Sequence, residues 1–244
     1  MLIPVDELVK VFKVKPNGVL HVGAHLAEEA AMYESFQWQG SSKIFWVESQ
    51  PDLAKRLSLD LDPSIHDVKC ATVWNVSGAR LQFKHTNNSQ SSSLLDLYKH
   101  SEKYPGIRVD RSYEVTTSRL DELYTDSNFD FVALDIQGAE LKALEGMGHL
   151  LENITWIYSE VNKIELYKDC ALISDLDLFL SNKGFKRIAT RWAWHSGWGD
   201  ALWVRTELNV NTFMPHLTYK SKNARLFLTY TVRYVFRKIF AKRV

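Results

Sequence analysis

Three apolar runs in this sequence end on an acid: Lys43–Glu48 on Glu48, Phe131–Asp135 on Asp135 and Ile154–Glu160 on Glu160. A fourth run, Gly18–Gly23, ends on a glycine and passes at once into Ala24 and His25. Ligands of open α/β sheets bind outside the carboxyl ends of the strands, so these are positions from which side chains reach a ligand. A glycine there permits close approach to the backbone, and an acid at the end of the next strand can accept hydrogen bonds from ribose hydroxyls. Gly23 and Glu48, 25 residues apart, suit an adenosine-containing ligand. The full G-x-G-x-x-G fingerprint is missing, which disfavours a bound pyrophosphate. Asp135 has no structural excuse at its strand end and is the first candidate for a base that takes a proton from a hydroxyl. Glu140, three residues past Gln137, has the ordinary task of complementing a helix dipole. Glu160 beside Asp135 makes a negative pocket, able to hold a cationic centre or to position hydroxyls. No spacing of ligands is diagnostic of a metal, and none is predicted.

A further cluster runs from Arg191 to Ala201 and contains Trp192, Trp194, His195, Trp198 and Asp200. Aromatic faces stack on the apolar faces of sugar rings, so Trp194 and Trp198 are candidates for holding a sugar, with Asp200 beside them. His195 can serve as a base or as a structural histidine bonded to a backbone carbonyl.

The elements that must position these residues alternate in type. Strands are expected at Gly18–Gly23, Lys43–Glu48, Asp67–Val73, Phe131–Asp135, Ile154–Glu160, Lys186–Thr190 and Ala201–Arg205. Helical spacing lies between them, over Ala24–Phe36, Asp52–Leu59 after Pro51, Ala139–Leu151, and the stripe Leu172, Leu176, Phe179 and Leu180 ended by Gly184. Strands interleaved with helices read as one doubly wound α/β domain. The stretch from Asn75 to Ser127, with its polar run from Asn87 to Ser93, departs from the rhythm; a segment that long is functional or carries small elements of its own.

Charge divides the chain. The formal net charge is +1 over 244 residues, but Leu208–Val244 holds eight Lys or Arg and no acid, which leaves −7 on the preceding 207 residues. A near-neutral total argues against a general nucleic-acid binder. Leu226–Val244 interleaves bases with apolar and aromatic residues and can lie as an amphipathic helix on an anionic membrane, or pack on the domain or a partner. Cys70 and Cys170 form no disulfide framework, the N-terminus lacks the apolar run of a signal peptide, and no stretch is long enough to span a bilayer; a cytoplasmic protein, at most peripheral to a membrane, is expected.

Taken together, His21-Val-Gly-Ala-His25, Val47-Glu48, Asn87–Leu95, Arg119–Leu123, Leu134-Asp-Ile-Gln-Gly-Ala-Glu-Leu141, Ser159-Glu-Val-Asn162 and Gly199-Asp-Ala201 resemble the FkbM-type S-adenosylmethionine-dependent methyltransferases, over roughly Gly18–Arg205. The resemblance implies a class I methyltransferase fold, a Rossmann-like three-layer sandwich with a seven-stranded, mostly parallel sheet whose last strand is antiparallel. It implies a domain over 1–207 and a basic extension over 208–244. It places Gly23, Ala24 and Glu48 at the methionine moiety and ribose of S-adenosyl-L-methionine, and Asp135 at the reacting centre; His21, His25 and Ser92 are expected to complete the cofactor site, and Glu160 and His195 are the candidate bases after Asp135. Ser93, Trp194, Trp198 and Asp200 are expected at the acceptor. His21, His25 and Gln137 depart from the residues most common in the family. The activity expected is O-methylation of a sugar hydroxyl in a glycan or glycoconjugate. A nicotinamide-dependent oxidoreductase and a non-catalytic module of the same fold are the alternatives. The oligomeric state is left open.

Overall fold

The structure, a computed structural model, describes residues 1–39, 43–125 and 128–208. The extension after Leu208, including the basic stretch Leu226–Val244, lies outside the described residues.

Ten strands form in chain order: β1 (Gly18–Val22), β2 (Lys43–Glu48), β3 (His66–Cys70), β4 (Thr72–Val73), β5 (Arg80–Thr86), β6 (Val109–Ser118), β7 (Phe131–Leu134), β8 (Trp156–Asn162), β9 (Phe185–Trp192) and β10 (Trp198–Arg205). Helices are α1 (Val5–Lys10), α2 (Ala30–Glu34), α3 (Pro51–Asp60), α4 (Lys99–Lys103), α5 (Leu120–Leu123), α6 (Glu140–Glu145) and α7 (Ile173–Asn182). Seven strands make the main sheet in the order β3-β2-β1-β7-β8-β10-β9. All its pairings are parallel except those of β10, which runs antiparallel to both β8 and β9. This is the class I methyltransferase arrangement, with the antiparallel last strand inserted one place in from the edge.

Side chains of a strand alternate between faces, and here both faces are covered, so β1, β7 and β8 are buried along their whole lengths. Leu20, Val22, Val132, Leu134 and Ile157 pack on one side with Leu144 of α6 and Leu176 and Leu180 of α7. Val19, Phe131, Ala133, Trp156 and Tyr158 pack on the other with Leu8 and Phe12 around α1, Tyr33 of α2 and Leu57 of α3. Fully burying side chains of this size contributes about 1.5–3 kcal/mol each, and this apolar sandwich fixes the sheet edge on which the site is built.

Several elements differ from expectation. The run expected as one strand over Asp67–Val73 divides: β3 ends at Cys70, and β4 leaves to pair with β6 in a second, three-stranded sheet of order β4-β6-β5. Its strands β5 and β6 lie within the stretch that departs from the rhythm, where alternating Leu81 and Phe83, and Tyr113, Val115 and Thr117, carry period two. The helix expected from Ala24 begins only at Ala30, because His25 and Ala27 adopt φ of 48° and 51°, outside the helical region. The helix expected over Ala139–Leu151 stops at Glu145, and a 3₁₀ segment takes over after Gly146 and Met147. By contrast α3 starts on Pro51, and Gly184 with φ of 81° follows α7.

Candidate active site

The carboxyl ends of β1, β2 and β7 converge on a cleft of about 580 Å³, counting its open mouth. Gly23, His25, Glu48, Ser92, Ser93 and Asp135 line it, together with Gln50, Thr72, Phe83, Ser89, Gln90 and Gln137. The cleft exists because β1 and β7 run side by side to its floor: Asp135 N–H donates to Val22 O at 3.0 Å, and Gly23 and Ala24 N–H both donate to Val47 O. Gly23 holds φ of 91°, and a Cβ there would stand 2.0 Å from the Asp135 carbonyl oxygen.

Glu48 is 4% exposed. One of its oxygens accepts from the His25 N–H at 2.7 Å and the other from the Gln50 N–H at 2.8 Å. Burial pushes the Glu48 carboxyl up, and those two backbone donors oppose it. His25 closes the cleft laterally: Nε2 lies 2.8 Å from Ser89 Oγ and Nδ1 2.8 Å from a Glu28 oxygen. Against the upward push of partial burial, the His25 hydrogen bond and charge hold the Glu28 carboxyl down to about 2.

On the opposite side Asp135 and Gln137 line the cleft, and the Gln137 amide bridges Asp135 to Glu160. Gln137 Nε2 donates to Asp135 Oδ1 at 2.7 Å and to Glu160 Oε2 at 3.0 Å. Tyr167 OH donates to Gln137 Oε1 at 2.6 Å, which fixes the amide with its nitrogen toward the acids. Burial holds the Tyr167 phenol far above its ordinary pKa, so it remains a donor. Gln137 reaches between the acids because it takes φ of 57° immediately before Gly138. Glu140 braces that turn by accepting from Ile136 N–H at 3.1 Å and Gly138 N–H at 3.0 Å. Burial and then the Asp135 charge push the Glu140 carboxyl up against its backbone donors.

Glu160 is joined to Asp135 through Gln137 but is not part of the cleft lining. His21 and Ala24 lie in the core on the far side rather than in the cleft. The His21 ring stacks on Trp46 with centroids 5.1 Å apart, and its Nδ1 pairs with Tyr33 OH at 2.8 Å. Strand parity is the reason: Val22 faces one core, so His21 faces the other. Asp200, opposite Glu160 in the β8–β10 ladder, is buried and spends its carboxylate on Tyr158 OH and the Leu2 N–H. His195 and Trp194 sit at the exposed tip of the turn between β9 and β10, Trp194 being 80% exposed. Trp198 is partly buried, with its Nε1 donating to Tyr104 OH at 3.1 Å. Gln137 received no role from the sequence, although a polar residue between Asp135 and a glycine was a visible signal. Phe83 and Ser89 became members only through the folding of the second sheet.

Burial lowers the His21 pKa from its ordinary value of 6.5. The unfolded chain therefore binds a proton that the folded one refuses, so the contribution of His21 is fully present above that value and is lost as pH falls below it. Tm of the wild type is expected to fall more steeply than that of His21→Phe between about pH 7 and 5.5, and equal slopes would count against a neutral buried imidazole.

A family model for the methyltransferase FkbM domain matches residues 21–187. The 2-O-methyltransferase NoeI of Sinorhizobium fredii (strain NBRC 101917 / NGR234) is 25% identical over 165 residues, covering 63% of this chain and 67% of that protein. The crystal structure of methyltransferase FkbM from Methylobacillus flagellatus KT aligns with TM-score 0.49 at 14% identity, covering 77% of this chain and 43% of that one. Magnesium protoporphyrin IX methyltransferase from Synechocystis PCC 6803 with bound SAM aligns with TM-score 0.41 at 10% identity, covering 77% of this chain and 69% of that one.

Proposed function

Because the chain belongs to the methyltransferase FkbM family, we propose that it methylates a sugar hydroxyl of a glycan or glycoconjugate, with S-adenosylmethionine as donor. The observation that carries this reading is that Gly23, Glu48 and Asp135 line one cleft, which joins a ribose acceptor to a proton acceptor. The donor set fits the cofactor. Each Glu48 oxygen accepts one backbone N–H and keeps a lone pair for a ribose hydroxyl. Val47, Val73, Phe83 and Ile136 offer apolar walls to an adenine ring. Gly23 leaves room for close backbone approach.

S-adenosylmethionine supplies a methyl group made electrophilic by its sulfonium. What the chain adds is alignment and proton removal. Asp135 takes the proton of the acceptor hydroxyl as attack proceeds, with its carboxylate aimed by the Gln137 amide. Glu160 shares that amide and adds negative charge beside the cationic centre. Ser92 on the cofactor side and Ser93 toward the acceptor both line the cleft; Ser93 Oγ also donates to Gln137 O at 2.8 Å and so ties the polar run to the Asp135–Gly138 turn. The sugar reading draws on the 2-O-methyltransferase name of the relative and on the aromatic side chains Trp194 and Trp198 near the end of the sheet. His195, exposed in the turn between β9 and β10, is the candidate base ranked after Asp135 and Glu160.

The test is a screen of methyl transfer over glycosides and sugar nucleotides, read by S-adenosylhomocysteine release. Transfer to a sugar with tight S-adenosylhomocysteine binding and no NAD binding is the expected result. NAD binding with no methyl transfer would support the oxidoreductase instead, and S-adenosylhomocysteine binding without transfer to any acceptor a non-catalytic module. For the basic stretch Leu226–Val244 we propose contact with anionic membrane. Loss of flotation with anionic vesicles on deleting residues 221–244 is expected, and unchanged flotation would refute it.

A further inference from the structure

Asn162 closes β8 two residues beyond Glu160, and therefore on the same face, roughly 6–7 Å further along the strand. Its side chain is 0% exposed. Neither Nδ2 nor Oδ1 has a hydrogen-bond partner among the described residues. Native proteins pair almost all such groups, so a buried amide left open on both atoms at a ligand-binding sheet edge calls for a partner. Its polar neighbours at that edge are engaged: Gln137 with Asp135, Glu160 and Tyr167, and Asp200 with Tyr158 and Leu2.

Across the β8–β10 ladder Asn162 stands opposite Trp198, and side chains directly opposite in an antiparallel pair share a face with Cβ atoms about 5 Å apart. Lys163 N–H donates to Gly197 O at 2.8 Å, which sets the turn carrying Trp194 and His195 beside the same strand end. The amide thus lies at the end of β8, past Glu160 and opposite Trp198, beside the cleft rather than in its lining.

We infer that Asn162 is a hydroxyl-binding residue of an acceptor subsite, donating through Nδ2 and accepting through Oδ1 from a neutral, polyhydroxylated acceptor. The inference rests on the methyltransferase reading and specifies its acceptor end. An amide offers donors and an acceptor side by side, and a hydroxyl matches both roles. The Asp135 and Glu160 carboxylates disfavour an anionic acceptor at this position. Because both amide atoms are sealed from bulk water, a hydroxyl reaches them as the turn between β9 and β10 moves aside.

Asn162→Leu is close in size and removes both hydrogen-bonding atoms; Asn162→Ser keeps one short hydroxyl and serves if the Leu variant does not fold. The probes are methyl hexopyranosides, titrated by thermal shift at saturating S-adenosylhomocysteine and assayed for methyl transfer in parallel. At least one glycoside is expected to bind the wild type. Its affinity should fall about tenfold or more in Asn162→Leu and about threefold or more in Asn162→Ser, with KM rising in step and S-adenosylhomocysteine affinity within about twofold. Unchanged glycoside affinity in the variants that fold, no glycoside binding to the wild type, or an equal loss of S-adenosylhomocysteine affinity overturns the subsite. Asn162-dependent glycoside binding without methyl transfer would sink the proposed function and leave the subsite standing. Methyl transfer to a glycoside, indifferent to Asn162, would do the reverse.

Discussion

Replacing Asp135 by Asn is expected to lower methyl transfer by about 10²–10⁴-fold while S-adenosylhomocysteine binds within about twofold of wild type. The substitution keeps the shape of the side chain and an oxygen that can still accept from Gln137 Nε2, so the turn through Gly138 remains in place. What it removes is the capacity to take a proton. An alcohol attacking without a base must develop its charge unaided, so the loss falls on kcat rather than on cofactor affinity. Rate and affinity are separable here because Asp135 follows β7 and Glu48 ends β2, two different strands that meet at the cleft. Parallel measurement of kcat, acceptor KM and S-adenosylhomocysteine affinity checks this. Activity near wild type would take the base role from Asp135 and pass it to Glu160, with Glu160→Gln the next variant.

Gly23→Ala should cost the fold about 3 kcal/mol or more, a fall in Tm of roughly 6–12 °C, and abolish cofactor binding with it. Two independent penalties add. The new methyl would stand 2.0 Å from the Asp135 carbonyl oxygen, which is backbone and cannot rotate away. The φ of 91° is also one that residues with a Cβ rarely adopt. Relief requires the ends of β1 and β7 to separate, which breaks the Asp135 N–H bond to Val22 O and moves the Asp135 carboxylate. Gly106→Ala is the control: a Cβ there meets nothing within 4 Å, and Tm should hold within about 2 °C. A Gly23→Ala protein that melts with the wild type would show that the strand ends yield, and that the close packing at the cleft floor is not what shapes it.

How much of this site was legible beforehand differs residue by residue. Glu48 and Asp135 announced themselves as acids ending apolar runs, and both line the cleft. His21 carried the same motif-level signal as Gly23, yet it belongs to the core with Tyr33 and Trp46. Asp200 lies in a suggestive loop sequence, but its carboxylate is consumed by Tyr158 and the chain's second residue. Nothing within ten residues of Asp200 signals those partners.

The sequence by itself determined the strands of the main sheet and the acids at their ends, because hydrophobic periodicity, a glycine turn and a strand-terminal carboxylate are local properties of the chain. Only the tertiary structure decided which face of each strand looks into the cleft and which long-range partner each polar group meets. A shift of one residue moves a side chain to the opposite core, and Gln137 acquires its bridging position from Tyr167, 30 residues away, and Glu160, 23 away. The open amide of Asn162 is of the same kind: it becomes visible only when every neighbour's hydrogen bonds have been placed.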